Sequence, residues 1–365
     1  MQIKAIEAAT RSKFRAESVD PSNASCVCCL PRRGFLGGLA ALGASALAPI
    51  PAARAQAMPR IDIHAHLSPP AYVAELSPKG LISPPSANWS VAKHLEEMDK
   101  AGITTSILSI TTPGLWFGDA AGARRHARLT NDYAASLLEK QPKKLSMFVA
   151  LPLPDIDGSL TEIAYGLDEL KADGIGVFTS YGDKWLGDPA FDPVFAELNR
   201  RKATVYTHPT AANCCRNLLT AVPAPAIEYG TDTTRAIANW IFSGSASRYP
   251  DIKFVWSHAG GTMPFLIERF DFLETTPQYK GKMARSFRNQ IKEYFYDTAQ
   301  ASNPVALTAL KQLIPVSQIV FGTDYPFRTM TEHVKSLAAS NVFSAAEIRQ
   351  IEAENIARLV PRYHG

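Results

Sequence analysis

Residues 60–70 read RIDIHAHLSPP, an apolar strand-like run that ends in two histidines one residue apart and then in a proline-rich segment. Alternate side chains of a strand lie on the same face, so His64 and His66 are expected side by side. Two half-exposed histidines at a strand end are one interpretation of this pattern, and half of a metal site is the other. The choice depends on whether the rest of the chain supplies further ligands.

An apolar run followed by an amphipathic run is the repeating unit of the chain from residue 58 onward. Most of the apolar runs are rich in Val, Ile, Phe and Thr, as in buried parallel strands. The strand candidates are 60–66, 105–111, 145–152, 174–180, 204–209, 253–259, 294–299 and 319–324. The helical patterns are 90–101, 122–140, 159–171, 191–202, 231–243, 262–273, 303–313 and 329–340.

Eight strand–helix pairs in a single pass predict an α/β fold, the (β/α)8 TIM barrel. A doubly wound open sheet is the alternative, but it usually has fewer strands and often a glycine-rich phosphate loop, which this sequence lacks. An extra C-terminal helix is expected over 345–358, where Ser344 and Glu347 form a capping box. Segments 67–89 and 211–230 are expected to be long loops after strands, where such barrels build their active sites.

Four of the eight histidines lie at the ends of predicted strands. His208 in TVYTHPT and His258 in KFVWSHAGG join the first pair, and Asp324 in IVFGTDYPF closes the last strand. Five such residues on four strands, all at the carboxyl ends, favour the metal-site interpretation of His64 and His66. Neutral imidazoles with a carboxylate suit Zn²⁺ or a neighbouring divalent metal.

The first 57 residues are predicted to be a leader, with the folded domain spanning 58–365. Arg32 and Arg33 precede a short Gly/Ala-rich apolar stretch, and Ala55-Gln56-Ala57 is a small-residue cleavage site. We therefore expect twin-arginine export to the periplasm, cleavage near Ala57 and no stable membrane insertion afterwards. A disordered tail and an uncleaved anchor are the alternatives.

The charge and the cysteines exclude two classes of protein. The net charge of +4 resides in the leader, since residues 58–365 hold 31 basic and 31 acidic side chains. No basic stripe is left for nucleic acid, so none is expected as a partner. Three of the five cysteines lie in the leader, and the remaining pair, Cys214 and Cys215, are adjacent, so a disulfide framework is not expected.

The order of these motifs resembles the amidohydrolase superfamily over residues 60 to about 360. The resemblance implies that His64, His66, His208 and Asp324 are metal ligands and that His258 polarises substrate or bound water. Binuclear members carry a carboxylated lysine on strand 4, where this sequence reads GIGVFTSY. The absence of Lys, Glu and Cys there implies one metal, with Zn²⁺ favoured over Mn²⁺.

HAGGTMPFLIERFD and GTDYPF are similar to motifs of the aminocarboxymuconate-semialdehyde decarboxylase-like family. In its decarboxylases an arginine eleven residues after the strand-6 histidine holds a substrate carboxylate in the neighbouring subunit, and that position is Arg269. The resemblance thus implies a homodimer or higher homo-oligomer. The alternative for Arg269 is a surface ion pair with Glu268 or Asp271.

Other residues near the predicted mouth are weaker candidates. Arg235 is expected to pair with Asp232 rather than to contact substrate from a loop. Arg216 and Arg328 are further candidates for substrate binding. The two cysteines are expected to pack within the loop rather than to act as nucleophiles. Trp116 and Phe117 either stack on an aromatic substrate or pack at a loop tip. The remaining histidines are expected to be solvated; they are His94, His126, His333 and His364.

The sequence supports three functional hypotheses. The first is a mononuclear metal-dependent, non-oxidative decarboxylase, a carboxy-lyase of an aromatic or unsaturated carboxylic acid, in which Asp324 carries a proton and His258 assists. The second is a hydrolase or hydratase that uses an activated water on a lactone, C–C bond or alkene at the same site. The third, a binding barrel with an inactive site, is disfavoured because all five site residues are present.

Overall fold

Eight parallel strands form one sheet in chain order, as the repeating sequence pattern predicts. The computed structural model describes residues 59–363 except 217 and 282, so the predicted leader lies outside the described residues. The strands are β1 Ile61–His66, β2 Thr105–Ser109, β3 Leu145–Ala150, β4 Gly174–Phe178, β5 Thr204–His208, β6 Lys253–Trp256, β7 Phe295–Asp297 and β8 Ile319–Val320. Each pairs in parallel with its neighbour in sequence, which confirms the (β/α)8 barrel.

One main helix follows each strand. These helices are α1 Val91–Ala101, α2 Ala120–Lys140, α3 Ile156–Ala164, α4 Asp192–Arg200, α5 Pro225–Phe242, α6 Met263–Thr275, α7 Pro304–Leu313 and α8 Met330–Ala339. Side chains before the first turn fix several of their starts: Asp119 caps α2, and Thr329 with Glu332 forms a capping box on α8. In the part of the chain that the structure describes, no helix is both long enough and apolar enough to cross a membrane.

The extra C-terminal helix is present and fills the lower end of the barrel. It begins with α9, Ala345–Arg349, after the predicted capping box of Ser344 and Glu347. Beyond it, Ile356 and Leu359 pack in one buried cluster with barrel residues such as Phe148. The amino-terminal ends of the strands are therefore covered, and the site can open only at their carboxyl ends.

Two expected loops contain helix. Segment 67–89 holds Pro70–Leu76 and Pro84–Ala87, where prolines occupy the first helical turn and need no N–H partner. The loop expected at 211–230 ends early, because α5 begins at Pro225. All three helical stretches were predicted as loop because their prolines are typical of loops.

The barrel closes through backbone hydrogen bonds between β1 and the segment after β8. Ile63 donates to the carbonyl of Phe321 at 3.0 Å, and Asp324 donates to the carbonyl of His64 at 2.7 Å. β8 is shorter than predicted because the later residues bond to β1 irregularly: Thr323 and Asp324 both donate to the carbonyl of His64. Gly322 permits this approach, since a Cβ there would lie 2.8 Å from the Cβ of His64.

A buried carboxylate strengthens this closure. Asp62 accepts hydrogen bonds from the backbone N–H groups of His64 at 3.0 Å and Thr323 at 3.1 Å, and from the Thr323 hydroxyl at 2.6 Å. Its side chain is fully buried. Asp62 thus links the first strand to the last one directly beneath the predicted metal ligands.

Asp62→Ala is expected to lower the free energy of unfolding by roughly 3–5 kcal/mol, because three buried donors would lose their acceptor. Urea denaturation followed by circular dichroism measures this change. Asp62→Asn is the matched control and should cost less, since its amide oxygen still accepts. An alanine variant within about 1 kcal/mol of the native protein would contradict this account of the closure.

Candidate metal centre

The four predicted ligands converge at the carboxyl end of the barrel. His64 and His66 end β1, His208 ends β5, and Asp324 follows β8. Asp324 Oδ1 lies 2.9 Å from His66 Nε2, 3.3 Å from His64 Nε2 and 3.9 Å from His208 Nε2. All four side chains are buried, and one ligand atom from each lies within 4.8 Å of the others. The sequence prediction of one metal site is confirmed in its geometry.

In each of the three ligand histidines, the ring nitrogen Nδ1 lies close to a partner of its own. His64 Nδ1 lies 2.8 Å from Asp297 Oδ2, and His66 Nδ1 lies 3.2 Å from the hydroxyl of Ser109. His208 Nδ1 lies 2.8 Å from the carbonyl oxygen of the residue that follows it. A metal at the centre would require the proton of each ring on Nδ1 and the lone pair on Nε2, and these Nδ1 partners fit that arrangement.

The charges at the centre also fit a cation. Burial opposes the charged form of His64, yet Asp297 and Asp324 raise its pKa to about 10, so the centre favours a positive charge between the two carboxylates. Burial lowers the pKa of His66, and lowers that of His208 to about 3, which keeps both rings neutral. Three imidazoles and one carboxylate form a donor set suited to a single divalent metal.

The two oxygens of Asp324 have different surroundings. Oδ1 faces the three ligand histidines, whereas Oδ2 lies 3.4 Å from His258 Nε2 and accepts a hydrogen bond from Gln300 Nε2 at 3.0 Å. Burial would raise the pKa of Asp324, but the electrostatic attraction of His64 and the approach of the neighbouring imidazoles hold that pKa well below its usual value. The carboxylate therefore joins the metal centre to the space above it.

Backbone strain is concentrated around this carboxylate. His258, Gln300 and Asp324 have φ values of 53°, 53° and 62°, in the left-handed region that favours glycine. Each such residue costs on the order of 1–3 kcal/mol and persists only where its surroundings fix it. At His258 the backbone N–H donates to Asp297 Oδ1 at 2.9 Å, so one carboxylate orients both this residue and the ring of His64.

A cavity of about 670 Å³ opens above Asp324 and His258. On one side the hydroxyls of Thr112 and Tyr229 lie 3.0 Å apart, and on another Gln300 contributes its amide. Most of the remaining wall is apolar: Pro225, Ala226, Ala301, Ala306 and Phe327. No lysine or arginine of the described residues lines it, so an anionic ligand meets no cationic side chain from this chain.

Arg269 lies outside this cavity. It is exposed on α6, and none of the carboxylates that the structure describes is within 4.0 Å of its side chain. The alternative of an ion pair with Glu268 or Asp271 is thus not observed; Asp271 bonds instead to Arg288 at 2.7 Å. The role of Arg269 stays a prediction.

The weaker candidates occupy other places. Arg235 lies within α5, not in a loop, and its Nη1 is 3.2 Å from Glu228 and 3.9 Å from Asp232, in agreement with the structural interpretation. Cys214 is exposed and Cys215 is buried, both as free thiols. Trp116 and Arg216 line a separate cavity. The side chain of Arg328 lies 3.9 Å from Glu332.

The expectation of solvated histidines is wrong for His94, His126 and His333, which are all buried. His94 lies 3.0 Å from the Ser106 hydroxyl, and His126 lies 3.1 Å from Glu75. These rings lie on helix faces that pack inward, a fact that the charge pattern does not reveal. His364 lies outside the described residues.

Two residues of the site were missed in the sequence analysis. Asp297 ends β7 and Gln300 follows it closely, both in the stretch YFYDTAQ. The rule that polar residues at the carboxyl ends of barrel strands face the site would have found them. Histidine stood out in the sequence instead, because it is rare and is a common metal ligand.

Comparison with known proteins agrees with this geometry. The family model described as amidohydrolase matches residues 61–362. A 6-methylsalicylic acid decarboxylase of Penicillium expansum is 34% identical over 323 residues, covering 84% of this chain and 98% of the relative. Another, from Aspergillus aculeatus, is 36% identical over 280 residues, covering 73% and 84%.

Comparison with a solved structure shows that the similarity includes the fold. The crystal structure of 5-carboxyvanillate decarboxylase from Sphingomonas paucimobilis has a TM-score of 0.72 at 20% identity, covering 83% of this chain and 99% of that one. At that identity the match supports the barrel alone. The family match extends from the first barrel strand to the C-terminal segment, and this chain belongs to the amidohydrolase family.

Proposed function

We propose that the protein is a metal-dependent, non-oxidative decarboxylase of a single-ring aromatic carboxylic acid. The observation that carries the proposal is the division of Asp324, with one oxygen among the metal ligands and the other facing the cavity beside His258. The 34% and 36% identical relatives that are 6-methylsalicylic acid decarboxylases support the reaction class. The largely apolar cavity suits an aromatic ring.

The reaction needs a proton on carbon before CO₂ departs. Loss of CO₂ directly from a ring carbon would leave an electron pair in the ring plane with no stabilisation, whereas protonation of that carbon makes it tetrahedral and CO₂ a good leaving group. A divalent metal held by His64, His66, His208 and Asp324 would supply Lewis-acid stabilisation of the negative charge on the substrate.

The side chains provide the proton transfer. Because the pKa of Asp324 is held low, it enters as the carboxylate and takes a proton from the substrate's acid or phenol group through Oδ2. It then delivers that proton to the ring carbon that bears the carboxylate. The C–C bond breaks, its electron pair restores the aromatic ring, and CO₂ leaves. His258 and Gln300 orient Oδ2 throughout, and the walls of the cavity position the ring.

CO₂ release is the primary test of this function. Incubation with 6-methylsalicylate, 2,6-dihydroxybenzoate, 2,3-dihydroxybenzoate and 5-carboxyvanillate should yield CO₂ and the matching phenol from at least one acid, in equal amounts. Asp324→Asn should abolish the release, because the amide cannot carry the proton. No release from a broad panel of aromatic acids, together with hydrolysis of lactones or hydration of alkenes, would favour the hydrolase or hydratase alternative.

We propose Zn²⁺ as the resident metal, since three imidazoles and one carboxylate suit it better than Mn²⁺. Elemental analysis should find about one metal per chain. His208→Ala should lose most of it, because one of four ligands is removed. His258→Ala is the matched control and should keep the metal, since its Nε2 approaches only Asp324 Oδ2. Two tightly bound metals per chain, or equal loss in both variants, would contradict this ligand set.

We further propose that the protein acts as a dimer in which Arg269 enters the partner's site. Phe265, Arg269 and Phe272 share one face of α6 by their spacing, and the two phenylalanines are 66% and 70% exposed. Such apolar exposure is typical of an interaction surface. A two-fold axis would make the contact reciprocal and bring a guanidinium to a cavity that no described lysine or arginine lines.

A mixture of two impaired variants, assayed at a substrate concentration at which neither variant is active alone, tests the shared site. Arg269→Ala should weaken substrate binding about ten- to a hundredfold with metal content unchanged, because the substrate carboxylate loses a charge-assisted hydrogen bond. Arg269→Lys should restore part of it. Mixing Arg269→Ala chains with His258→Ala chains should recover about a quarter of the activity, since one site of each mixed dimer is intact. An active monomer, or no recovery after proven subunit exchange, would refute the model.

We also propose that the chain is exported through its twin-arginine leader to the periplasm. The support is the pair Arg32 and Arg33 together with the cleavage site Ala55-Gln56-Ala57. Amino-terminal sequencing of protein from the native host should find a mature chain that begins near Met58. A retained Met1 in cytoplasmic protein would contradict export, and an Arg32→Lys, Arg33→Lys double variant should accumulate uncleaved.

A further inference from the structure

A second cavity of about 280 Å³ lies at the same end of the barrel as the metal centre. Its walls come from the segments that follow β2, β3, β4 and β5, and it shares no lining residue with the cavity above Asp324. The side chains and backbone that form it include Pro113, Trp116, Leu153, Phe178, Tyr181 and Arg216. Neither the proposed reaction nor the metal centre uses this space.

Phe178 separates the cavity from the metal centre. Its ring lines the second cavity, and its centroid is 6.0 Å from that of the His208 ring. Gly114 packs against the same ring so closely that a Cβ there would lie 2.9 Å from it. Along the chain, Thr112 lines the first cavity and Pro113 the second. The two spaces are therefore neighbours along the chain and share no lining residue.

The walls combine aromatic surface with one positive charge. Trp116, Phe178 and Tyr181 supply the rings, and Arg216 is the only charged residue that the structure places in the lining. Arg216 is exposed at the rim of the cavity, and its Nε donates a hydrogen bond to the carbonyl of Ala211 at 3.0 Å. No carboxylate of the described residues lies within 4.0 Å of its guanidinium, so the outer N–H groups are open to an anion.

Further hydrogen-bond donors lie in the same lining. The Tyr181 hydroxyl accepts from the Phe178 backbone N–H at 2.9 Å, and its own proton has no acceptor among the described side chains and carbonyls. Burial raises the pKa of Tyr181, so the hydroxyl keeps that proton. Acidic residues are absent from the part of the lining that the structure describes. A ligand that matches these walls is planar, aromatic and negatively charged.

We propose that this cavity is a second binding site for a small aromatic carboxylate, with the ring between Phe178 and Trp116 and the carboxylate at Arg216. The volume is near the lower end of the usual range for ligand pockets, roughly 300–1,000 Å³, which suits one ring. The guanidinium offers the two-pronged geometry that a carboxylate accepts. The site does not depend on the decarboxylase proposal, because binding here involves neither the metal nor Asp324.

Equilibrium binding of salicylate to the metal-loaded full chain tests the proposal. Calorimetry should find two sites per chain, and removal of the metal with a chelator should abolish only one of them. Arg216→Gln should weaken the surviving site about tenfold or more, because a charge-assisted hydrogen bond is lost, and Arg216→Lys should restore part of the affinity. Thermal melts of each variant should match the native protein and show that the fold is intact.

Two matched controls isolate the charge and the position. Lys184→Gln removes an exposed cation outside the lining, from the short strand Lys184–Trp185 that pairs antiparallel with Ser180–Tyr181. This change should leave both affinities unchanged. Salicylamide, which keeps the ring but not the charge, should not occupy the second site. The proposal is overturned by a single site that disappears with the metal, by unchanged binding in Arg216→Gln, or by equal binding of salicylamide. CO₂ release is measured separately, so failure here leaves the reaction proposal standing.

Discussion

The closure between the first and last strands is the constraint on which the site depends. Backbone hydrogen bonds join residues 63–66 to residues 321–325, and Asp62 binds the backbone of both segments from below. This seam places Asp324 against two histidines that are far from it in sequence. A shift of one residue in β1 would turn His64 and His66 away from the carboxylate, because side chains alternate between faces. Stability of the barrel and assembly of the metal centre therefore rest on the same contacts.

Asp297 likewise serves two purposes, on the cavity side of the metal centre. One of its oxygens holds the ring of His64, and the other accepts the backbone N–H of His258 in a strained conformation. The metal ligand and the residue beside the substrate are thus oriented by a single buried carboxylate. Such outer partners fix the tautomer and direction of a ligand ring, and their loss typically weakens metal binding. The geometry of the centre is consequently a property of three strands rather than of the ligands alone.

The two cavities at the carboxyl end of the barrel differ in the charge and polarity of their walls. The space above Asp324 has largely apolar walls, and no lysine or arginine of the described residues lines it. The neighbouring space has aromatic walls and Arg216. Phe178 lines this second space, and its ring centroid lies 6.0 Å from that of His208. The carboxyl end of the barrel thus holds two neighbouring spaces of different chemical character.

The sequence by itself determined the barrel, the extra helix, the positions of the four predicted metal ligands and the position of His258. Each of these leaves a local signal: buried strands are continuous apolar runs, capping boxes have fixed spacing, and histidines at strand ends are rare enough to stand out. Asp297 and Gln300 were overlooked because acidic and amide residues are common, and their meaning depends on which strand end they occupy. Only the tertiary structure decided three further properties. They are the burial of His94, His126 and His333, the lack of a described carboxylate partner for Arg216 and Arg269, and the presence of two neighbouring cavities. Those properties arise from contacts between segments distant in sequence, and no local pattern records them.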